Sequence, residues 1–121
     1  MTAHHAVVWI DHNEAKVFKF VEDAVEAMDI HAPPHAHVRK NPDHHLEDGH
    51  YLHDVTGALK DCEEILVVGP STAKLGLIRY LHKHAHELEP RVVGVESVDH
   101  PTDGQLVAYA RKYFRKVDRM R

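Results

Sequence analysis

Two short apolar runs place the strongest constraint on the fold of this chain. Residues 6–11 read AVVWID and residues 64–69 read EILVVG, and neither run alternates polar with apolar side chains. A continuous run of this length, rich in Val and Ile, is typical of a strand that is buried on both faces of a sheet. Because such a sheet needs helices on both sides, the two runs predict an α/β protein.

The segments around these runs predict the order of the remaining elements. A polar link, HNE, joins the first run to residues 15–20, which favours an antiparallel hairpin, and residues 26–30 predict a third strand near the edge. Apolar residues then recur at helical spacing over residues 46–61, after Ser71 or Thr72, and after Thr102, with a fifth strand over residues 91–98. The resulting order, β-β-β-α-β-α-β-α, predicts one mixed five-stranded sheet with helices on both faces.

The apolar spacing also predicts which residues of the two last helices face the core. The predicted inner residues are Leu75, Ile78, Leu81, Ala85 and Leu88 in the second helix, and Leu106, Ala110, Phe114 and Val117 in the third.

Residues 31–50 interrupt the pattern. They read HAPPHAHVRKNPDHHLEDGH, with three prolines, six histidines and almost no large apolar side chains. This composition predicts a mobile surface loop. The whole chain, residues 1–121, has the length of a single domain.

Composition excludes several classes of protein. A single cysteine, Cys62, rules out an internal disulfide and a multi-cysteine zinc site, and we expect it to be a buried small hydrophobe. No apolar run is long enough to span a membrane and no signal peptide is evident, so we expect a cytoplasmic protein. A net charge of −4 argues against general nucleic-acid binding, and any such contact has to use a local patch.

The order of elements, together with a few residues, resembles one known family. The segments that carry the resemblance are VVWIDHNEAKVFKF, EILVVGPSTAK, LHKHAHEL, RVVGVESVDH and DGQLVAYARKYF. They are similar to the middle domain of archaeal and eukaryotic class-one peptide-chain release factors, which the rescue factor Pelota shares, and to small bacterial stand-alone proteins of the translational machinery. That family has an Asp at the hairpin turn, a strand that ends in Gly-Pro and a Lys in the next helical turn, which Asp11, Gly69-Pro70 and Lys74 match. The resemblance implies a ribonuclease-H-like fold.

The chain lacks the catalytic motif of that family. In release factors the Gly-Gly-Gln motif lies between the third strand and the first helix, where this chain has residues 31–50, with no Gln and one glycine, Gly49. We also expect the domains that read stop codons and bind the GTPase partner to be missing. The resemblance therefore implies a protein that does not release peptides, and we expect no enzymatic activity.

The Gly-Gln pair at residues 104–105 has a structural explanation. Thr102 and Gln105 have the Thr-x-x-Gln spacing of a capping box, and Asp103 in the first turn complements the helix dipole. We interpret the pair as a helix start.

Fourteen histidines make a metal-binding or pH-responsive surface the second hypothesis for function. His82 and His86 are one helical turn apart, and His50 and His53 from the loop and first helix could supply further ligands to zinc or nickel. No fixed zinc motif is present, so incidental binding to a solvated surface is the alternative, and no cofactor is expected to be required.

The C-terminal helix carries the best local signal for a partner. Its cations pair up at helical spacing, Arg111 with Arg115 and Lys112 with Lys116, beside two tyrosines. Such a helix can follow a phosphate backbone, and Lys74 at the start of the second helix could add an anion contact. The alternative is that these cations complement the helix dipole and keep the chain soluble.

Because some ribonuclease-H-like proteins are nucleases, metal-dependent nuclease activity is a third hypothesis for function. Its carboxylates would have to be Asp11, Glu64, Asp99 and Asp103, and no pair among them is specific. Our first hypothesis is therefore a non-enzymatic protein that binds RNA or the ribosome, with the oligomeric state left open and a homodimer among the alternatives.

Overall fold

The computed structural model describes residues 3–22, 24–32 and 45–120, and these form five strands and three α-helices. In chain order the elements are β1 (Ala3–Ile10), β2 (Glu14–Val21), β3 (Ala24–His31), α1 (His45–Leu59), β4 (Cys62–Gly69), α2 (Ala73–His84), β5 (Val92–Ser97) and α3 (Asp103–Arg119). A short 3-10 helix, Glu89–Arg91, precedes β5. The predicted order of elements is confirmed.

The segment predicted as a loop, residues 31–50, is shorter at both ends than expected. β3 continues to His31, and α1 already begins at His45. Residues 33–44 lie outside the described residues, so the predicted mobility of this loop stays a prediction.

The five strands form one mixed sheet in the order β3-β2-β1-β4-β5. Short links make β1, β2 and β3 an antiparallel meander, whereas the helical connections make β4 parallel to both β1 and β5. The two apolar runs thus lie side by side at the centre of the sheet. Val7 and Val8 of β1 and Leu66 and Val67 of β4 are fully buried, which confirms strands that are covered on both faces.

The helices cover the two faces of the sheet unequally. α1 and α2 pack on one face, where Val55, Leu59, Leu77 and Leu81 contact the side chains of β1, β2 and β4. Of the three described helices, α3 is the one that packs on the other face, through Leu106, Ala110 and Phe114. Val117 is half-buried on the same side. Among the described residues, no helix is long and apolar enough to cross a membrane.

The predicted inner face of α2 was partly wrong. Leu77 is fully buried, whereas Leu75 is 45% exposed. The helix ends at His84, so Ala85 and Leu88 are buried in the turn that follows it rather than on its inner face. The segment has Leu or Ile at positions 75, 77, 78 and 81, so two overlapping apolar stripes fit a helical period. In the structure, the stripe through Ala73, Leu77 and Leu81 faces the core.

Gly69 is required where β1 and β4 end side by side. A Cβ atom at this position would collide with the carbonyl oxygen of Ile10. The Gly-Pro that ends β4 therefore serves close packing of the two central strands.

Candidate nucleic-acid interface

The start of α3 is a capping box, as predicted. Thr102 Oγ1 accepts a hydrogen bond from the backbone N–H of Gln105 at 3.1 Å. In return, Gln105 Oε1 accepts one from the backbone N–H of Thr102 at 2.9 Å. The Gln105 side chain is thus engaged within the chain, and Gly104-Gln105 is a helix start.

Two tyrosines set the rotation of α3 about its axis. The Tyr113 hydroxyl donates to the carbonyl oxygen of Val93 at 3.2 Å and occupies the space that a side chain at Gly94 would need. The Tyr109 hydroxyl donates to Glu96 Oε1 at 2.6 Å. Desolvation raises the pKa of Tyr109 to about 12, and the hydrogen bond to Glu96 acts in the same direction. Both anchors lie on β5, so they hold one side of α3 against the edge strand.

This rotation places the cations of α3 on the side that faces away from the sheet. At about 100° per residue, they fall within an arc of about 140° that contains no acidic residue of the helix. All five side chains are exposed. We call this arc the basic face; it consists of Arg111, Lys112, Arg115, Lys116 and Arg119.

The acidic residues of α3 lie outside the basic face. Asp103 forms an ion pair with Lys16 of β2, and the Lys16 Nζ and Asp103 Oδ1 atoms are 3.1 Å apart. Asp118 Oδ2 lies 3.7 Å from His5 Nε2 of β1. Both carboxylates are therefore directed toward the sheet, and the potential of the outward side of α3 is dominated by positive charge.

An aromatic ring lies beside the basic face. The guanidinium carbon of Arg111 is 5.5 Å from the ring centroid of Phe20 on β2, within cation–π range. Phe20 is half-buried and pairs across the sheet with half-buried Val25, followed along β3 by exposed Ala27. The basic face thus borders a strip of open sheet surface with a partly exposed aromatic ring, a combination that suits contacts with phosphates and unpaired bases.

Lys74 lies on the other side of the sheet, because α2 packs on the face opposite to α3. Its side chain is buried, and its ammonium donates to the carbonyl oxygen of Ser71 at 2.7 Å. The structure thus groups Arg111, Lys112, Arg115 and Lys116 and leaves Lys74 apart. An anion contact by Lys74 stays a prediction, and the basic face does not need it.

The four histidines predicted as metal ligands lie on α1 (His50 and His53), on α2 (His82) and in the turn after α2 (His86). His82 Nδ1 lies 2.9 Å from Glu89 Oε1, and the rings of His82 and His86 are 5.5 Å apart. His53 Nδ1 lies 3.5 Å from the Tyr80 hydroxyl, and His50 is exposed. A zinc or nickel site at these residues stays a prediction.

Three other ligand atoms do come together within the described residues. One atom each from His4, His5 and Glu64 lies within 4.8 Å of the others. The pKa of His5 is lowered mainly by burial, and next by the neighbouring His4. Sequence reasoning missed this group, because only the parallel register of β1 against β4 brings the His-His and Glu-Glu pairs together.

Two carboxylates of the nuclease hypothesis, Asp11 and Glu64, lie toward opposite ends of the central strands. Asp11 closes the hairpin turn, where its Oδ1 accepts the backbone N–H groups of Asn13 and Glu14, both at 2.8 Å. Glu64 pairs in register with His5, six residues before Asp11 and thus about 20 Å away along the strand. The structure therefore brings no two-metal carboxylate site together around these two residues.

Comparison with known proteins supports the fold. No family model matches the chain, and no curated protein matches it. Among solved structures, Archaeoglobus fulgidus Pelota superposes with a TM-score of 0.66 at 16% identity, over 93% of this chain and 32% of Pelota. The archaeal translation termination factor aRF1 gives a TM-score of 0.61 at 14% identity, over 96% of this chain and 38% of that one.

A third similar structure is Saccharomyces cerevisiae Dom34, described as a translation termination-like factor involved in RNA quality control pathways and interacting with Hbs1. It superposes with a TM-score of 0.54 at 11% identity, over 78% of this chain and 29% of Dom34. This chain thus spans about a third of each of the three proteins and shares the fold of that part. The resemblance expected from the sequence is confirmed as a likeness of fold.

Proposed function

We propose that this chain is a non-enzymatic, translation-related protein that binds RNA, in the setting of the ribosome, through the basic face of α3. The observation that carries the proposal is the arc of five exposed cations without an acidic residue, on a chain whose net charge is −4. A net acidic protein with one concentrated basic surface is expected to bind a polyanion in one orientation.

The neighbourhood of the basic face supports RNA as that polyanion. Arginine side chains donate bidentate hydrogen bonds to phosphate oxygens, and partly exposed aromatic rings stack on unpaired bases. Arg111 and Phe20 supply one of each, with the guanidinium carbon 5.5 Å from the ring centroid. The fold shared with aRF1 and Dom34 supports translation as the setting, since the first is described as a translation termination factor and the second as a translation termination-like factor involved in RNA quality control.

Peptide release is not part of the proposal. The chain has a single Gln, Gln105, and its side chain is engaged in the capping box of α3. We expect wild-type protein to leave peptidyl-tRNA intact in a release assay with purified ribosomes.

The test is reversal of charge on the basic face. Arg111→Glu with Arg115→Glu is expected to weaken binding to a labelled RNA hairpin on the order of tenfold or more, and to lower the slope of log K against log salt by about 2, because two phosphate contacts are lost. Fluorescence anisotropy over a range of KCl concentrations measures both, and co-sedimentation with ribosomes is expected to decrease in parallel.

A matched control is Lys60→Glu with Lys83→Glu, which makes the same change in net charge at two exposed positions outside α3. It is expected to keep most of the affinity and the wild-type salt slope. Equal losses in both double variants would show a general charge effect. No salt-dependent binding by the wild type would contradict the proposal outright.

A further inference from the structure

Histidines and carboxylates from three elements meet at the end of the sheet where β1 and β4 begin. β1 opens with His4 and His5, β4 carries Glu63 and Glu64, and the parallel register places His5 directly beside Glu64. The last turns of α3 bring Asp118 to the same place. These residues are distant in sequence, so only the fold makes them a cluster.

The separations within the cluster are those of ligand atoms around a small ion. His5 Nε2 lies 3.2 Å from Glu64 Oε1 and 3.7 Å from Asp118 Oδ2. In a tetrahedral zinc site with bonds of about 2.0–2.2 Å, neighbouring ligand atoms lie about 3.3–3.6 Å apart. The two observed distances bracket this range. One ligand atom each from His4, His5 and Glu64 lies within 4.8 Å of the others, so a bound ion has to draw these three atoms closer together.

The central pair of the cluster is held in place by its surroundings. The side chains of His5 and Glu64 are 18% and 13% exposed, and the His5 ring stacks on Phe114 with ring centroids 4.1 Å apart. Ordering these ligands therefore costs little at the moment of binding. The His4 side chain is 57% exposed, which leaves an approach from solvent.

Ligand type and charge favour a transition metal. Two imidazoles and one carboxylate suit Zn²⁺ or Ni²⁺, whereas Mg²⁺ and Ca²⁺ prefer oxygen ligands alone. Glu63 Oε1 lies 2.5 Å from His4 Nδ1, so three carboxylates in all, Glu63, Glu64 and Asp118, surround the two imidazoles. A divalent cation relieves the repulsion among them.

We propose that His4, His5 and Glu64 bind one Zn²⁺ ion per chain, with the Asp118 carboxylate beside the ion at the fourth position. The ion joins the starts of the two central strands to the end of α3. This site is independent of RNA binding, and it uses none of the four histidines that the sequence suggested, His50, His53, His82 and His86.

The test is titration of the protein with ZnCl₂. Protein prepared without metal-affinity resin and stripped of metal is expected to bind one Zn²⁺ tightly, counted by native mass spectrometry and measured by calorimetry. Because the ion binds the folded state, Zn²⁺ at about 100 times its Kd is expected to raise the Tm by about 10 °C.

Variants distinguish this site from the histidine surface. Glu64→Gln and, separately, the exposed His4→Gln are expected to abolish the stoichiometric binding and the rise in Tm, while Asp118→Asn weakens the affinity. The control, His82→Gln with His86→Gln, is expected to bind like the wild type. His4→Gln keeps the test sound if Glu64→Gln fails to fold, since His4 is largely outside the core.

Two results would overturn the proposal. One is the absence of a one-to-one Zn²⁺ complex in the wild type. The other is a complex that survives Glu64→Gln and His4→Gln, since the ion would then be held by histidines elsewhere in the chain.

Discussion

Single side chains in this protein are placed by polar contacts that sequence patterns do not show. Lys19 of β2 is an example. Its side chain is 9% exposed, and its ammonium lies 2.9 Å from Asp61 Oδ1. Cys62, next to Asp61, is fully buried as expected, and burial raises the pKa of its thiol to about 11.

The Lys19–Asp61 pair predicts a specific dependence of stability on pH. The hydrogen bond from Lys19 holds the pKa of the Asp61 carboxyl below its ordinary value. A carboxyl whose pKa is depressed in the folded state stabilises the fold above its unfolded pKa, and this contribution is lost as the pH falls through the folded value. The free energy of unfolding of the wild-type protein is thus expected to decrease below about pH 5, partly because Asp61 becomes protonated.

Asp61→Asn tests this expectation. At pH 7 the variant is expected to be less stable, on the order of 1 kcal/mol, because a partly exposed ion pair is lost beside a buried ammonium. Toward pH 3 the difference from wild type is expected to shrink. Urea unfolding at both pH values measures it, and a difference that stays constant would show that the pair does not titrate.

At the level of elements, the start of α3 was predicted more closely than the inner face and the end of α2. The capping box at Thr102 was read correctly because its geometry depends on residues three apart in the chain. The inner face of α2 was misassigned because Leu75 and Leu77 fit equally well into a helical period. Their burial depends on where the helix lies on the sheet, which local spacing does not specify.

The cap of α3 is expected to contribute measurably to stability. Thr102→Ala removes the hydrogen bond to the Gln105 backbone N–H and is expected to cost about 1 kcal/mol, or a decrease in Tm of about 4 °C. Thr102→Ser keeps the hydroxyl and is expected to stay close to wild type. Thermal unfolding followed by circular dichroism compares the two; an equal loss in both would assign the effect to the Thr102 methyl group.

At the level of the whole molecule, the two faces of the sheet share the central strands β1 and β4. Leu77 packs on one face and Phe114 on the other, and both contact clusters that include residues of these strands. A chain built in this way is expected to unfold as one unit, which is the single domain predicted for residues 1–121.

Alanine substitutions on the two faces of the sheet test whether the chain unfolds as one unit. Leu77→Ala and Phe114→Ala are expected to cost about 2–5 and 3–5 kcal/mol, whereas Leu75→Ala, at a 45% exposed position, is expected to cost far less. In each variant, far-UV circular dichroism and Trp9 fluorescence are expected to give coincident unfolding curves. Two separate transitions would mean that the faces unfold independently.

The order of elements, the mixed sheet, the cap of α3 and the grouping of four cations on that helix all followed from the sequence. The order of elements, the cap and the spacing of the cations depend on periodicity or on neighbours within a few residues, and the mixed sheet follows from that order through the rules of strand connection. The burial of Lys74 and Lys19, the stripe of α2 that faces the core and the meeting of His4, His5 and Glu64 depended on the tertiary structure. They arise from the register of β1 against β4 and from the seating of helices on the sheet, where residues dozens of positions apart compete for the same buried space.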